Sequence, residues 1–302
     1  MMSNMLPEII AVVGTNASGK SGLAVRLGET YGGEIISADS RQVFKGLDLG
    51  SGKITPEEMR GVPHHLLDVC EAGGFFSIAD FQKLACAAAD GILSRGKLPF
   101  LVGGTGLYVD SVVQGYVLSG VKPDLKYREH LETFTTPELF AMLNNLLPGA
   151  MVDEHNRNRI MRRLEKLRAG DTGHGERRPR YRALTLGVTW PRGELCRRID
   201  ERLEARMASG MLSEVKGLLD NGVSPAFLRK LGLEYRYLSA YLLGEIQTEA
   251  EMLDELSRAI KRFAKRQMTW FKRDKAIHWL DMQADPFAEA CEAINAFVSA
   301  SG

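Results

Sequence analysis

Residues 14 to 21 read Gly-Thr-Asn-Ala-Ser-Gly-Lys-Ser, directly after the apolar run Ile9-Ile10-Ala11-Val12-Val13 and directly before an amphipathic stretch from Gly22 to Tyr31. A Gly-x-x-x-x-Gly-Lys-Ser loop carries meaning only between a strand and a helix, and both flanks are of that kind here. Gly14 and Gly19 let the backbone curl so that successive N–H groups converge on one phosphate. The N-terminus of the following helix adds partial positive charge at the same place. Lys20 is placed to reach terminal phosphates, and the Ser21 hydroxyl to ligate a magnesium ion. The competing reading is a glycine-rich turn that happens to carry a lysine, and the two flanks weigh against it. The chain is expected to bind a di- or triphosphate.

The 302 residues are 44% hydrophobic, enough for one large domain or two smaller ones with a proper core. A formal net charge of +1 excludes a polycation, so any nucleic-acid surface must arise by local clustering. Cys70, Cys86, Cys196 and Cys291 are far apart and form no CxxC pair; they read as buried thiols in a reducing compartment, not a disulfide frame or a zinc site. Met1 to Pro7 lacks the basic and apolar regions of a signal peptide. No apolar run approaches the roughly 20 residues needed to span a bilayer. A cytoplasmic protein without membrane contact is expected.

The first third alternates in α/β fashion. Strands are predicted at Glu8–Val13, at Glu34–Ser37 just before Asp39, and at Leu98–Val102, with a helix over Ala79 to Arg95. From Ser119 the strand-like alternation stops and charge rises, with a glycine-rich break at Gly170 to Gly175. A strand pattern resumes at Ala183 to Trp190. Helices are then predicted at Gly193–Ala208, Leu212–Asn221, Gly232–Leu243 and Glu249 to Lys272, followed by a last strand at Ala276–Leu280. The pattern describes a doubly wound parallel α/β sheet, residues 1–118 and 184–302, interrupted by a helical insertion at 119–183.

Asp39 lies at the carboxyl edge of the sheet, where ligands bind in open α/β folds. A carboxylate there can hold magnesium through water, act as a general base, or simply make a turn, since Asp39-Ser40 is good turn chemistry. The strand Leu98–Val102 ends in Gly103-Gly104-Thr105-Gly106, without the magnesium-binding aspartate of many phosphate-loop ATPases. The glycines permit close approach of a ligand and Thr105 offers a hydroxyl, although a plain tight turn explains them equally well. Between 157 and 182 ten cations (Arg157, Arg159, Arg162, Arg163, Lys166, Arg168, Arg177, Arg178, Arg180, Arg182) face three acids (Glu165, Asp171, Glu176). A second basic stretch, Arg258 to Lys275, interleaves Trp270 and Phe271 with its charges. Each could be a solvated face; two of them on a near-neutral chain favour RNA. His64-His65 has no second ligand pair at metal spacing and reads as structural.

The stretches GTNASGKS, IISADSRQVFKGLDLGSGK, VPHHLLDV, LVGGTGLY, DEHNRNRIMRRLE and AKRQMTWFKRD together resemble the tRNA dimethylallyltransferases, or tRNA isopentenyltransferases, over nearly the whole length. The resemblance implies a P-loop NTPase-like core. It also implies transfer of a dimethylallyl group from dimethylallyl diphosphate to the N6 amine of adenosine 37, beside the tRNA anticodon. The loop Gly14, Thr15, Asn16, Ala17, Ser18, Gly19, Lys20 and Ser21 would then hold the diphosphate, with Mg2+ at Ser21. Asp39 matches the family's general base, Thr105 a threonine near the diphosphate, and Arg202 an arginine pointing at it. Asp39, Ser40, Arg41 and Gln42 match the segment that reads the target adenine. Asn158, Arg159 and Arg162, with Lys265, Arg266, Gln267 and Trp270, match tRNA-contacting segments, and the insertion would clamp the anticodon stem. A monomer is expected.

The chain departs from the common family pattern in three places. Gly14-Thr15-Asn16 stands where many members have Gly-Pro-Thr, so Asn16 receives no catalytic role. Residues 232–236 read GLEYR where many read GYR, and the insertion is short between Thr133 and Met151. Two rivals remain on sequence alone: a small-molecule kinase using ATP on the same loop, and an RNA-binding module with a vestigial loop.

Overall fold

The computed structural model describes residues 6–173 and 176–300. Met1 to Met5, part of the segment read for a signal peptide, and His174-Gly175 of the glycine-rich break lie outside the described residues. In chain order the elements are β1 (Glu8–Val13), α1 (Lys20–Tyr31), β2 (Glu34–Ser37), α2 (Pro56–Met59), β3 (His64–His65), α3 (Ile78–Ser94), β4 (Pro99–Gly103), α4 (Gly106–Val113), α5 (Leu125–Glu132), α6 (Thr136–Leu146) and α7 (Arg157–Arg168). They continue with β5 (Arg182–Thr189), α8 (Arg192–Ala208), α9 (Met211–Asp220), α10 (Pro225–Leu231), α11 (Leu233–Leu242), α12 (Glu249–Phe271), β6 (His278–Asp281) and α13 (Pro286–Ser299). They form two compact units, one from the described parts of Met1–Gly115 and Pro179–Gly302, the other Tyr116–Arg178.

The larger unit is a six-stranded sheet in the order β3-β2-β4-β1-β5-β6, every pair parallel. A strand buried on both faces needs apolar residues at every position, which explains the unbroken run Ile9 to Val13 in β1. Alternate residues feed opposite layers. Ile9, Ala11 and Val13 pack with Phe81 and Ala85 of α3 and with Val109 and Val112 of α4. Ile10 and Val12 pack with Leu23 and Leu27 of α1 and with Ala290 and Ile294 of α13. Helices α8 to α12 build a further apolar cluster that takes in Val43, Phe44 and Leu47 from the loop after β2. His64 and His65 form a short edge strand, a structural role as expected. The four cysteines are half-buried free thiols, more exposed than the buried ones expected; Cys70, Cys86 and Cys291 lie at the margins of packed clusters.

In the smaller unit α5, α6 and α7 close on Leu131, Leu139, Leu143, Ile160 and Leu164. Thr135 and Glu138 form a capping box at the start of α6. The buried Glu165 receives Arg128 at 2.6 and 2.9 Å, Arg162 at 3.1 Å and the Asp124 N–H at 3.1 Å. Burial alone would raise that carboxyl; the two guanidinium groups outweigh it and hold it low. Part of the basic stretch around 157–168 is therefore committed internally.

At the amino end of β2, Glu34 is 3% exposed and takes hydrogen bonds from His65, Arg95 and Lys97 at 2.7 to 3.3 Å. Burial opposes its charge, but the hydrogen bonds from Arg95, His65 and Lys97 win and bring its pKa from 4.5 to about 2. The Arg95 and Lys97 side chains are 48% and 42% exposed, so solvent screens part of this gain. Glu34→Gln is expected to cost on the order of 2 kcal/mol at neutral pH, below the range for fully buried pairs. Because the folded pKa is depressed, this stability is present above pH 4.5 and is lost as pH falls toward about 2. Urea unfolding of wild type and variant across that range should show the gap closing; an unchanged gap would remove the carboxylate charge as its cause.

Candidate active site

The phosphate loop leaves β1 at Val13 and turns into α1 at Lys20. Gly19 has φ 85°, and Ala17 also sits in the left-handed region at φ 59°. Helix α1 has neither a capping side chain nor an acid in its first turn, so its N-terminal field is left uncompensated. Side chains from elsewhere hold the loop's own polar groups. Trp190 Nε1 donates to the Ser18 carbonyl at 2.9 Å, Arg198 Nε to the Ala17 carbonyl at 3.1 Å, and the Asn16 N–H donates to Gln267 Oε1 at 3.0 Å. Lys20 Nζ donates to the Thr15 carbonyl at 3.3 Å. Desolvation lowers the Lys20 ammonium to about 8, Asp39 pulling it up and Arg202 pushing it further down.

Asp39 follows β2 at the same edge. Its Oδ1 accepts the Arg41 N–H at 2.9 Å, the turn contact its neighbours suggested, and Oδ2 has no protein partner among the described residues. Thr105 Oγ1 accepts the Ser40 N–H at 3.1 Å and donates to Ser40 Oγ at 3.4 Å, tying the exit of β4 to that of β2. The glycines before it are required by protein packing. A Cβ on Gly103 would lie 2.1 Å from the Ala38 carbonyl oxygen, and one on Gly104 2.5 Å from Gln267 Nε2.

Arg202 reaches the Gly52 carbonyl at 3.2 Å, and Gln42 Nε2 donates to the same oxygen at 3.2 Å while its Oε1 accepts from Ser37 Oγ at 2.9 Å. Lys20, Ser21, Asp39, Ser40, Gln42, Thr105 and Arg202 line one pocket; Ile199, Leu203, Ile260 and Phe263 give it an apolar side. Gly14 is buried at the loop's base. Thr15 is 1% exposed, and its hydroxyl donates to the Asn16 carbonyl. Ser18 Oγ is buried without a partner among the described residues.

Sequence reasoning missed the support beneath this pocket. Glu234, 2% exposed, pairs with Arg41 at 3.5 Å and Arg206 at 3.2 Å. It belongs to the GLEYR segment that departs from the family pattern, just after Leu233 with φ 42°. Arg41 also donates to the Leu231 carbonyl at 3.2 Å, so this residue is anchored to the protein. Glu214 accepts the N–H groups of Asp48, Leu49 and Gly50 at 3.0, 2.6 and 3.0 Å, and Tyr235 donates to it at 3.0 Å. One signal was available: Arg198, Arg202 and Arg206 recur every four residues, so they share one face of α8.

The other RNA-side expectations divide. Asn158 and Arg159 are exposed on α7, and Lys265 and Arg266 are exposed on α12. Arg162 is bound to Glu165 and to the Val121 carbonyl at 2.6 Å. Gln267 is buried, and Trp270 is half-buried with Nε1 donating to Asp110 at 3.0 Å. Trp270 packs against the core, and Gln267 lines the pocket beside Asn16 and Thr105.

For magnesium the donor set is the Ser21 hydroxyl, exposed beside the loop, with Asp39 on the same pocket. Among the described residues no group of three His, Cys, Asp or Glu could hold a metal by itself. A hydroxyl and a nearby carboxylate are hard oxygen donors, the kind Mg2+ takes alongside water and substrate phosphates.

The IPP transferase family model matches residues 42–274. A tRNA dimethylallyltransferase 2 of Syntrophotalea carbinolica is 43% identical, covering 93% of this chain and 97% of its own length. One from Shewanella sediminis is 44% identical, covering 95% and 97%. Among solved structures, the full-length tRNA isopentenylpyrophosphate transferase of Bacillus halodurans superposes with a TM-score of 0.74 at 37% identity, over 97% of this chain and 96% of that one. A eukaryotic dimethylallyltransferase acting on tRNA shares the fold, with a TM-score of 0.82 at 22% identity, over 97% of this chain and 80% of that one. The chain belongs to the IPP transferase family, the family of the tRNA dimethylallyltransferases.

Proposed function

We propose that this prenyltransferase moves the dimethylallyl group of dimethylallyl diphosphate to N6 of adenosine 37 in tRNA, releasing diphosphate. The observation that carries the reading is the single pocket in which Lys20 and Ser21 of the phosphate loop, the carboxylate of Asp39 and an apolar wall meet. The loop amides, Lys20 and Arg202 hold the diphosphate and take up the charge it gains as its oxygen leaves the allylic carbon with the bonding electron pair. The amine forms the new N6–C bond to that carbon, and Asp39 accepts the N6 proton. The apolar side receives the five-carbon group and keeps water from the allylic centre. Ser21 would hold Mg2+, which when bound would further neutralise the leaving group. The family reading sets aside ATP as substrate, and with it the kinase alternative.

The acceptor base leaves the anticodon-loop stack to reach Asp39, read by the Ser40–Gln42 segment. Arg159 on α7 and Lys265 and Arg266 on α12 offer exposed cations to tRNA phosphates. The Tyr116–Arg178 unit serves as the clamp on the stem. No helix among the described residues is long and apolar enough to cross a membrane, and a tRNA-modifying enzyme works in the cytoplasm.

Purified protein, Mg2+ and radiolabelled dimethylallyl diphosphate should label an unmodified tRNA with adenosines at positions 36 to 38 and spare a transcript with guanosine at 37. Equal labelling of both, or of neither, would overturn the reading. Asp39→Asn should lower kcat by about 10²- to 10⁴-fold with tRNA affinity unchanged; near-normal turnover would exclude Asp39 as the base. Lys20 carries its charge below about pH 8 and loses it above. Donor-limited kcat/KM should therefore fall as pH rises through that value. In Lys20→Arg, whose guanidinium stays charged, the rate should be lower but free of that fall. A fall of the same size in both proteins would dissociate Lys20 from the profile.

A further inference from the structure

The apex of the phosphate loop is strained. Ala17 has a side chain and yet occupies φ 59°, a region that costs an L-residue on the order of 1 kcal/mol and persists only where the surroundings over-determine it. The surroundings are three side chains from distant parts of the sequence. Arg198 and Trp190, stacked with the guanidinium 4.5 Å from the indole, hold the Ala17 and Ser18 carbonyls after the apex. On the side before it, Lys20 and Thr15 make contacts within the loop, and Gln267 reaches in from a distant helix. Gln267 lies 6% exposed on α12, its Oε1 accepts the Asn16 N–H at 3.0 Å, and its Nε2 donates to the Gly104 carbonyl at 2.9 Å.

Both ends of this amide thus hold backbone groups. One turn further along α12, Trp270 packs where a Cβ on Gly106 would lie 2.2 Å from its ring. Helix α12 therefore grips the Gly103–Gly106 turn twice and the phosphate loop once. The Asn16 N–H, which a phosphate loop could aim at its ligand, is turned to Gln267 instead, so anion binding rests on the amides beyond the apex.

We propose that Gln267 is a positioning residue for diphosphate: by fixing the Asn16 peptide against the Gly104 turn it holds the strained apex in the curl that binds the anion. The proposal rests on the reading that this loop carries the donor's diphosphate. It is tested by calorimetric titration of the full-length protein with inorganic diphosphate in Mg2+, a measurement that does not require prenyl transfer.

Gln267→Met removes both hydrogen bonds at similar volume. The diphosphate Kd should rise about tenfold, the size expected for losing hydrogen bonds that leave a buried N–H and C=O unpaired, and the donor KM should rise in parallel. kcat at saturating donor and tRNA affinity should stay within about threefold. Gln267→Glu keeps the acceptor for the Asn16 N–H but sets a carboxylate against the Gly104 carbonyl; once protonated it regains a donor. Its diphosphate Kd, taken as a ratio to wild type at each pH, should fall toward one as pH is lowered from about 8 to about 5.5. That recovery is not expected of a residue that only fills space, and it carries the test if Gln267→Met does not fold. A diphosphate Kd within twofold of wild type, a Gln267→Glu ratio that ignores pH, or weakened tRNA binding with diphosphate unaffected would overturn the proposal. Wild-type protein that binds diphosphate yet labels no tRNA would instead overturn the reading of function and leave Gln267's role standing.

Discussion

The pairing of β1 with β4 on one side and β5 on the other, in parallel and with Val13 level with both Gly103 and Gly187, determines where chemistry can occur. Parallel strands deliver all their carboxyl ends to one edge. The phosphate loop, Asp39 and the Gly103–Gly106 turn thus arrive side by side, although the chain separates them widely. None of these segments needs to find another by flexibility. The hydrogen-bonded ladder and the two apolar layers bring them together, and the helices α8 and α12 then close over them.

Charged groups do the finer positioning, and their burial is what makes them effective. Glu234 between Arg41 and Arg206, and Glu214 beneath three consecutive N–H groups, hold the segment that supplies Arg41, Gln42 and Gly52 to the pocket. A buried carboxylate with full partners adds little net stability, yet removing a partner is costly. Such groups favour one geometry over others. Surface pairs such as Lys216–Asp220, both largely exposed, do not have that leverage.

The sheet and its edge were readable because they depend on local pattern. The apolar run Ile9–Val13, the loop and Asp39 at a strand end follow from burial on two faces and from turn chemistry, and most strand and helix limits fall within one or two residues of their expected places. Helices α10 and α13, each opened by a proline in its first turn, were not anticipated; α10, with seven residues, is too short to show a helical period. Gln267 and Trp270 stand in a basic run whose resemblance to tRNA-contacting segments gave no sign of their packing. Which face of α12 a residue occupies is set by what packs against it, the glycine turn at 103–106, and that is a long-range fact. Glu214 and Glu234 could not be separated from ordinary helix-surface acids for the same reason. The choice between a kinase and a prenyltransferase was likewise not available from the loop, which serves any polyphosphate; it came from resemblance along the whole chain.

The order of the strands also bears on how the protein comes into being. β1 and its loop emerge early during synthesis, but β1's neighbour β5 follows only after the whole Tyr116–Arg178 unit, and Gln267 later still. The smaller unit, with local helix pairs and its own core, can fold while the sheet waits for its second half. In the interval the most apolar strand of the chain has one open hydrogen-bonding edge, the kind of edge that other chains can pair with. The central position that gives the phosphate loop its rigidity in the finished protein leaves the same segment with an open edge while the chain is unfinished.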